Sequence, residues 1–507
     1  MASKQSDHKS IGAFHRRVEE SLDDNRVADV EKRHAKGYRT ARENLDHLVD
    51  EGSFVEYGQF AIAAQRNRKS SEELKSKTAA DGVITGLARI NGELFGVAQT
   101  QVAVIINDYM SLAGTQGFFH HQKIDRMLEV ATERSLPVIM YTEGGGGRPG
   151  DTDVTTQIAG LNISTWLVWS QLAGVVPRIA VNNGYCFAGN AALFGGADIC
   201  IATESSCIGM AGPAMIEGGG LGSFAPTDIG PADVNSKNGV IDIVAADENE
   251  ATLLAQQVLG YFQGPQGNWS AADQSILQNI MPDDRRYTYD IRKLIEVLVD
   301  KGSFIELQQQ YGKTIIIGFV RIEGHPFGLI ANDNRVLGGA IDATSSTKAA
   351  KFLNLCNSFS LPVVSLCDTP GFMVGPDSEE EGAARKMAEL FTAGAKLRSP
   401  LVCIFLRKAY GLGAMAMAGS SFVKPVYSAA WPMGEFGAMG LEGAVKLGFK
   451  KELAEQQAEA RETLFNELVA KMYEAGKATE AAAFLEIDAV INPMETRSVI
   501  INSIGLD

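Results

Sequence analysis

Two nine-residue stretches, LVDEGSFVE from Leu48 and LVDKGSFIE from Leu298, differ at only two positions. Three further pairs of segments follow them in the same order along the chain. These pairs are GLARINGELFGV from Gly86 with GFVRIEGHPFGLI from Gly318, SLPVIMYTEGG from Ser135 with SLPVVSLCDTPG from Ser360, and PRIAVNNGYCFAGNAA from Pro177 with PLVCIFLRKAYGLGAM from Pro400. The spacing within a pair drifts only from 250 to 223 residues, as loop-length differences would produce. Four ordered matches therefore indicate an internal duplication.

Each half of the duplication shows the same order of predicted elements. An amphipathic helix, ARENLDHLVDEG or IRKLIEVLVDKG, precedes short β-rich runs. Two helix–strand pairs follow, and each buried strand ends in a glycine turn. Such alternation is typical of βα units, so the sequence predicts an α/β fold with two tandem domains. The polar stretch from Gly264 to Gln274 predicts a linker, which gives domains of residues 1–270 and 271–507.

Charge and composition exclude several classes of protein. The 507 residues carry a formal net charge of −15, which argues against a general nucleic-acid binder. The polar start MASKQSDHKS has no apolar core of a signal peptide, and no run of about 18 apolar residues predicts a membrane span. The six cysteines form no CxxC pair, so neither a zinc ribbon nor a disulfide framework is predicted. We therefore expect a cytoplasmic protein.

The first glycine turn, TEGGGGRPGDTD from Thr142, follows a predicted buried strand. Glycines such as Gly145 and Gly146 let backbone amides approach an anion or a substrate closely. The turn is not a P-loop, because no Lys-Ser/Thr pair follows the glycines. A plain tight turn before a helix fits the same residues equally well.

The second turn, NNGYCFAGNAALFGGADICIATE from Asn182, resembles the glycine turn of the crotonase (enoyl-CoA hydratase) superfamily. The resemblance implies that the backbone amide of Gly189 donates to a thioester oxygen, with Ala188 and Asn190 beside it. Fixed dipoles at a helix N-terminus stabilise the negative charge that an enolate places on that oxygen. The alternative interpretation is simple packing of a helix on a strand.

Segments of the second half carry a more specific resemblance. These segments are DTPGF from Asp368, LRKAYGLGAMAMAG from Leu406, SFVKPVYSAAWPMGEFGAMGLEGAVKL from Ser421 and IDAVINPMETR from Ile487. They resemble the carboxyltransferase (beta) subunits of biotin-dependent acyl-CoA carboxylases, of the propionyl-CoA and acetyl-CoA type. The resemblance extends from about residue 33 to 500 and includes both halves in order.

This resemblance implies two tandem crotonase-like domains with different ligands. The N-terminal domain would hold the acyl thioester oxygen at Gly189 and Asn190. The C-terminal domain would hold the ureido oxygen of biotin at Leu412 and Gly413. Carboxybiotin would provide CO2 and its ureido nitrogen would take the α-proton, so no side-chain base is required. The family also implies a homo-oligomer, a hexamer, with the reaction between domains of different subunits.

The predicted function is transfer of CO2 from carboxybiotin to the α-carbon of a short or medium acyl-CoA, such as propionyl-CoA or acetyl-CoA. The sequence shows no Met-Lys-Met biotin attachment site and no glycine-rich ATP motif. Carboxybiotin would therefore come from a separate biotin carboxylase and biotin carboxyl carrier. No metal is expected in this chain.

The sequence also departs from the family pattern. GGGGR replaces the usual SGGAR, and GLGAM replaces GGAY. Met415 lies where the family has a residue that helps to choose acyl length. A flexible, apolar methionine either accepts several acyl chains or simply packs in the core.

Two basic residues are further candidates for substrate binding. By resemblance Lys123 lies where the family has a lysine, and it either contacts a CoA phosphate or belongs to a solvated helix start. Arg148 either contacts phosphate or caps the glycine turn. The adjacent His120 and His121 make a poor metal site, because consecutive residues of a helix point apart.

Three alternatives remain open from the sequence. The subunit of a biotin-dependent acyl-CoA decarboxylase would have similar turns. A crotonase-type hydratase or isomerase would need catalytic carboxylates, and one domain would suffice for it. A non-catalytic scaffold would not need intact glycines in both turns.

Overall fold

The duplicated segments form corresponding parts of two units, Met1–Gly264 and Pro265–Asp507. The computed structural model describes residues 9–154 and 160–506. No helix in those two ranges is both long and apolar enough to cross a bilayer.

The first unit contains one large and one small sheet. The strands are β1 Val55–Tyr57, β2 Val83–Arg89, β3 Gln101–Asn107, β4 Val138–Tyr141, β5 Arg178–Asn182, β6 Tyr185–Phe187, β7 Ile199–Thr203, β8 Cys207–Gly209 and β9 Ile243–Ala245. The helices are α1 Lys9–Glu19, α2 Val27–His34, α3 Ala41–Leu48, α4 Ser71–Lys77, α5 Val97–Thr100, α6 Phe118–Arg134, α7 Thr165–Gln171, α8 Gly189–Gly195, α9 Pro213–Gly218, α10 Ala232–Lys237 and α11 Glu248–Gln263.

The second unit has one sheet of eight strands. Its strands are β10 Ile305–Leu307, β11 Ile315–Ile322, β12 His325–Asn332, β13 Val363–Thr369, β14 Leu401–Tyr410, β15 Tyr427–Ala430, β16 Glu435–Gly437 and β17 Ala489–Val490. Its helices are α12 Ile291–Leu298, α13 Ala343–Ser358, α14 Pro376–Glu380, α15 Ala383–Lys396, α16 Gly411–Met417, α17 Leu441–Gly448, α18 Lys450–Ala454, α19 Ala458–Ala475, α20 Ala478–Ala483 and α21 Thr496–Ile504.

Both large sheets have the same topology. The strand order is β1-β2-β3-β4-β5-β7-β9 in the first unit and β10-β11-β12-β13-β14-β15-β17 in the second. In each sheet the first three strands pair antiparallel and the later strands pair parallel. The predicted α/β duplication is therefore confirmed.

The buried central strands explain why the sequence folds in this way. Every residue of β4, β5 and β7 is buried, and so is every residue of β13. Parallel strands covered on both faces read as continuous apolar runs, as the LPVIMY and LPVVSL segments do. β4 and β13 each end at a glycine turn, and these turns form part of the candidate site of each unit.

Candidate functional site

The first site lies where β6 turns into α8. Ala188 joins them with φ 53° and ψ −120°, a conformation that is unusual for a residue with a side chain. Gly189 begins the helix, and its amide has no hydrogen-bond acceptor among the described residues. The first amides of a helix have no partner within the helix, so this N–H can donate to an anionic oxygen.

The glycine turn after β4 packs against this helix start. A Cβ on Gly146 would lie 2.9 Å from the Cβ of Ala188. The amide of Gly145 donates to the Ala113 carbonyl at 3.0 Å, and that of Gly146 donates to Asn190 Oδ1 at 3.2 Å. Both predicted substrate-binding glycines thus use their amides within the protein. The neighbouring amide of Gly147 has no partner in the described chain, and a Cβ there would meet open space.

Asn190 has a structural role through its side chain. The residue is fully buried, and Nδ2 donates to the Thr142 carbonyl at 3.2 Å while Oδ1 accepts from Gly146. These contacts fix α8 to the glycine turn. Its side chain is therefore a positioning group, and only its backbone amide remains available at the helix start.

Gln116 is a functional candidate that the sequence analysis missed. It is 3% exposed, and its side-chain nitrogen Nε2 has no partner among the described residues. A Cβ on Gly189 would lie 2.2 Å from Gln116 Oε1, so the two residues are in close proximity. A buried amide without a partner is costly in the free protein and is available to a ligand. The AGTQG segment gave no signal for this role, because Gln116 approaches Gly189 only in the folded chain.

The second unit repeats this geometry at the start of α16. Gly411 has φ 57° and lies where the first unit has Ala188. The next two amides, of Leu412 and Gly413, have no acceptor in the described chain, as expected for the first turn of a helix. These are the two residues that the sequence assigns to the second oxyanion site.

The DTPGF segment takes the place of the first glycine turn. Ile341 donates to the Gly371 carbonyl at 3.0 Å and Met373 donates to the Ile341 carbonyl at 2.8 Å. Gln116, Gly146 and Arg148 make the same pair of bonds in the first unit. A Cβ on Gly413 would lie 2.7 Å from the Gly371 backbone, so α16 approaches this turn more closely than any side chain would allow.

One polar pair distinguishes the second site from the first. Tyr410, the residue before Gly411, donates from its hydroxyl to Glu435 Oε2 at 2.8 Å. Phe187 and Cys207 occupy the corresponding strand positions in the first unit. Burial raises the pKa of Glu435, although the bond from Tyr410 partly opposes this shift.

The structure does not support Lys123 as a CoA phosphate ligand. Its side chain is buried, and Nζ donates to the carbonyl oxygens of Ala80 and Val83. Burial lowers the pKa of Lys123 to about 8. Lys348 of the second unit similarly donates to the carbonyls of Gln308 and Tyr311. Both lysines therefore hold the loop before a β-strand.

Arg148 also has internal partners. Its side chain is 4% exposed, pairs with Asp81 and Asp151, and donates to the Thr115 carbonyl at 2.8 Å. Of the two predicted roles, these contacts favour fixing the glycine turn. The same ion pair explains why Asp81 can be buried. Burial raises the pKa of Asp81, and the Arg148 guanidinium opposes this shift.

Met415 lies one helical turn after Gly411 and lines a cavity of about 670 Å³ in the second unit.

In the described ranges, no group of three or more His, Cys, Asp or Glu side chains could hold a metal ion. The fully buried His120 bonds through Nδ1 to the Asp81 carbonyl, and burial lowers its pKa.

Comparison with known proteins identifies the family of the chain. The model of the family described as "Carboxyl transferase domain" matches residues 32–507. The chain belongs to the carboxyl transferase family. Its predicted family and enzyme class, a carboxyltransferase of the acyl-CoA carboxylase type, are confirmed.

One curated relative and two solved structures illustrate the similarity. The propionyl-CoA carboxylase beta chain of Roseobacter denitrificans is 31% identical, and the match covers 94% of each chain. A single-chain, multi-domain long-chain acyl-CoA carboxylase is 50% identical with a TM-score of 0.93 over 98% of this chain. The transcarboxylase 12S hexamer, with methylmalonyl-CoA and methylmalonic acid bound, is 29% identical with a TM-score of 0.85. That match covers 100% of this chain and 96% of the other.

The match covers 49% of the single-chain carboxylase, so this chain spans about half the length of that protein. The likeness to these enzymes along the whole chain confirms the fold of two tandem crotonase-like domains.

Proposed function

We propose that the chain transfers CO2 from carboxybiotin to the α-carbon of an acyl-CoA, with one oxyanion site in each unit. The observation that carries the proposal is the repetition of a helix start with free amides, at Gly189 and at Leu412–Gly413. Carboxyl transfer needs two such sites, because negative charge develops on the thioester oxygen and on the ureido oxygen of biotin.

The first unit suits the thioester. The amides of Gly189 and Gly147 and the side-chain nitrogen of Gln116 are donors without partners in the described chain. Donors fixed in this way stabilise the enolate without reorganising, and a deletion of one such donor commonly costs about 10²–10³ in kcat. Gly145, Gly146 and Ala188 shape the turn beside these donors.

The second unit suits biotin. The amides of Leu412 and Gly413 have no partner among the described residues, and the side chain of Leu412 is 61% exposed at the helix start. Carboxybiotin would supply the CO2 and a basic ureido nitrogen. The residues of the chain orient the two substrates, and none is required to act as a base.

A hydratase mechanism lacks support at the first turn. The carboxylate within this turn, Glu143, is 7% exposed and is bound by two nitrogens of Arg33, one of them at 3.0 Å. A general base must reach water and substrate. Burial raises the pKa of Glu143 and the Arg33 guanidinium opposes that shift, so the carboxylate serves the internal ion pair.

The proposal includes separate partners and an oligomer. A biotin carboxylase and a biotin carboxyl carrier would supply carboxybiotin, and copies of this chain would assemble as the 12S hexamer does. We place the enzyme in the cytoplasm, in agreement with its six free, buried cysteine thiols.

The test compares the two sites by single substitutions. Gly189→Ala should lower the rate of methylmalonyl-CoA decarboxylation with free biocytin by about 10²–10³ and weaken acyl-CoA binding, since its Cβ would approach Gln116 and Trp166. Gly413→Ala should instead raise the KM for biocytin and leave acyl-CoA affinity near that of the wild type. Calorimetry and steady-state kinetics measure these effects.

Gly195→Ala is the matched control, because Gly195 ends α8 and its Cβ would meet open space. Its activity should equal that of the wild type. Equal losses of acyl-CoA affinity in Gly189→Ala and Gly413→Ala, or wild-type rates in both, would show that the assignment of the two sites is wrong.

A further inference from the structure

A small cavity lies at the carboxyl ends of three neighbouring parallel strands of the first unit. Its volume is about 10 Å³, which is enough for one water-sized sphere. Its wall includes Asn107 at the end of β3, Glu143 just beyond β4 and Asn183 just beyond β5. Asn44 contributes from α3. The carboxyl ends of parallel strands are where open α/β sheets commonly bind ligands.

Three asparagine side chains bring unpaired oxygens to this cavity. Asn44, Asn107 and Asn183 are 3%, 6% and 3% exposed, and the side-chain oxygen of each has no hydrogen-bond partner among the described residues. Nδ2 of Asn44 and Nδ2 of Asn183 donate to Glu248 Oε2 at 2.7 and 3.0 Å. Both nitrogens are therefore used, and the oxygens are the polar atoms left for the cavity. Buried acceptors without partners are costly, so three of them around one cavity indicate a ligand.

The buried charges around the cavity include one more negative than positive group. Arg33 and Glu143 form an ion pair. Glu248 is also buried, but it forms no salt bridge in the described part of the chain and accepts instead from the two asparagines and from the Arg39 backbone amide at 3.0 Å. Burial raises the pKa of Glu248, and these donors oppose the shift because they favour the charged form. The carboxylate also polarises the two amides, which makes their oxygens stronger acceptors.

The second unit shows that the fold does not require these asparagines. The duplicated segments align Asn44 with Leu294 and Asn183 with Leu406. Both leucines are fully buried in one apolar cluster of the second unit. Apolar packing at the two positions is therefore sufficient for the fold, and the polar groups of the first unit need another explanation.

We propose that the cavity of the first unit binds a monovalent cation of about the size of water, such as potassium. Carbonyl oxygens that replace the hydration shell are typical ligands of potassium. A water molecule has only two hydrogens to donate and would leave one of the three oxygens unpaired, whereas a cation attracts all of them. The single excess negative charge fits a monovalent ion, and magnesium with its retained waters needs more room. Scattered asparagines form no sequence motif, so the sequence analysis expected no metal.

The experiment measures how salts change the stability of the full chain. Urea unfolding is compared in the chlorides of potassium, ammonium, sodium and tetramethylammonium at one ionic strength of about 0.1 M, so that screening is equal. Tetramethylammonium is too large to enter the cavity. A ligand that binds only the folded chain lowers the unfolding constant, and potassium and ammonium should lower it about tenfold or more relative to tetramethylammonium. Sodium, which is smaller than the cavity, should act more weakly.

Two variants of Asn107 should change this response in opposite directions. Asn107→Leu removes one of the three oxygens, so its response to potassium should disappear. In tetramethylammonium chloride it should be at least as stable as the wild type, because a buried unpaired acceptor is gone. Asn107→Asp adds a negative charge to the cavity and should bind potassium about tenfold or more tightly than the wild type does.

Asn332→Leu is the matched control. Asn332 lies at the corresponding end of β12 in the second unit, where its Oδ1 accepts from the Asp368 backbone amide at 3.1 Å. The variant should lose stability equally in all four salts, and its response to potassium should equal that of the wild type.

Equal stability of the wild type in all four salts would overturn the proposal and assign the cavity to water. A potassium response that persists in Asn107→Leu would also overturn it, because the cation would then bind elsewhere. Crystals grown in rubidium chloride give a direct check, since an anomalous peak is expected inside the cavity and its absence would contradict the site. None of these measurements depends on carboxyl transfer, so their outcome leaves the proposed function untouched.

Discussion

At the scale of single residues, the two helix starts differ at one backbone position. Ala188 and Gly411 both have φ above 50°, but only the second is a glycine. A side chain in this region of φ and ψ costs about 1–3 kcal/mol. The first unit therefore carries backbone strain at its candidate site, whereas the second unit does not.

Reciprocal substitutions test this difference. Ala188→Gly should stabilise the protein by about 1 kcal/mol. The free energy gained by relieving the backbone strain should exceed the free-energy cost of the more flexible unfolded chain. Gly411→Ala should destabilise it, since the new Cβ would lie 2.8 Å from the Ala438 carbonyl oxygen. Urea denaturation of both variants measures the effects. A loss of stability in Ala188→Gly would contradict the strain.

Lys123 gives a prediction on pH dependence. Lys123→Met should destabilise the protein by about 1–3 kcal/mol, because the Ala80 and Val83 carbonyls lose their buried donor. The pKa of Lys123 is about 8 in the folded chain and near 10.5 when unperturbed. Between these values the unfolded chain binds more protons, so this group makes stability rise with pH. The advantage of the wild type over Lys123→Met should grow from pH 8 to 10.

Urea midpoints of the wild type and Lys123→Met across this range are the measurement. Lys69→Met is the control, because the side chain of Lys69 is partly exposed and pairs with the nearby Glu73, and it should change stability by no more than about 0.5 kcal/mol. A different outcome would support Lys123 as a phosphate ligand. In that outcome Lys123→Met keeps the stability of the wild type, but its CoA binding is weaker and no longer depends on salt.

At the scale of elements, β14 explains how the second helix start is held. In the first unit strand β5 ends at Asn182, and a separate strand β6 begins at Tyr185. In the second unit the single strand β14 runs without interruption from Leu401 to Tyr410. The end of β14 pairs with β16, and the Tyr410–Glu435 hydrogen bond adds a side-chain link between these strands. The position of Gly411 thus depends on β16.

Tyr410→Phe should act on biotin rather than on acyl-CoA. The partly buried Glu435 loses a hydrogen-bond donor, which should cost about 1–3 kcal/mol of stability. The KM for biocytin should rise severalfold, while acyl-CoA affinity should remain unchanged. Tyr287→Phe is the control, because that side chain is 64% exposed in the same unit. Wild-type kinetics in Tyr410→Phe would show that the pair does not position α16.

At the scale of the whole molecule, each unit offers one oxyanion site for a reaction that uses two. We expect the chain to form a homo-oligomer, a hexamer, with a particle mass about six times the 54.3 kDa of the chain. Light scattering at several concentrations, together with decarboxylation rates, measures this. A stable monomer with full activity would contradict the prediction.

The sequence by itself determined the architecture and the enzyme class. The duplicated segments and the apolar strands are local signals, because each strand buried on both faces must be apolar wherever it lies. The resemblance of the glycine turns to those of the crotonase superfamily and the carboxyltransferase subunits likewise identified Gly189 and Leu412–Gly413 as helix starts.

Only the tertiary structure decided which groups remain free. The Gly146 amide donates to Asn190 Oδ1, 44 residues away. Among the described residues of the glycine turn, Gly147 therefore has the amide without a hydrogen-bond partner. Lys123 bonds to carbonyls about 40 residues earlier and is therefore buried rather than available to phosphate. The cavity beside Met415 is lined in part by residues of α19 and α20, which lie far along the chain. Hydrogen-bond partners and cavity walls come from distant segments, and a sequence pattern records neither of them.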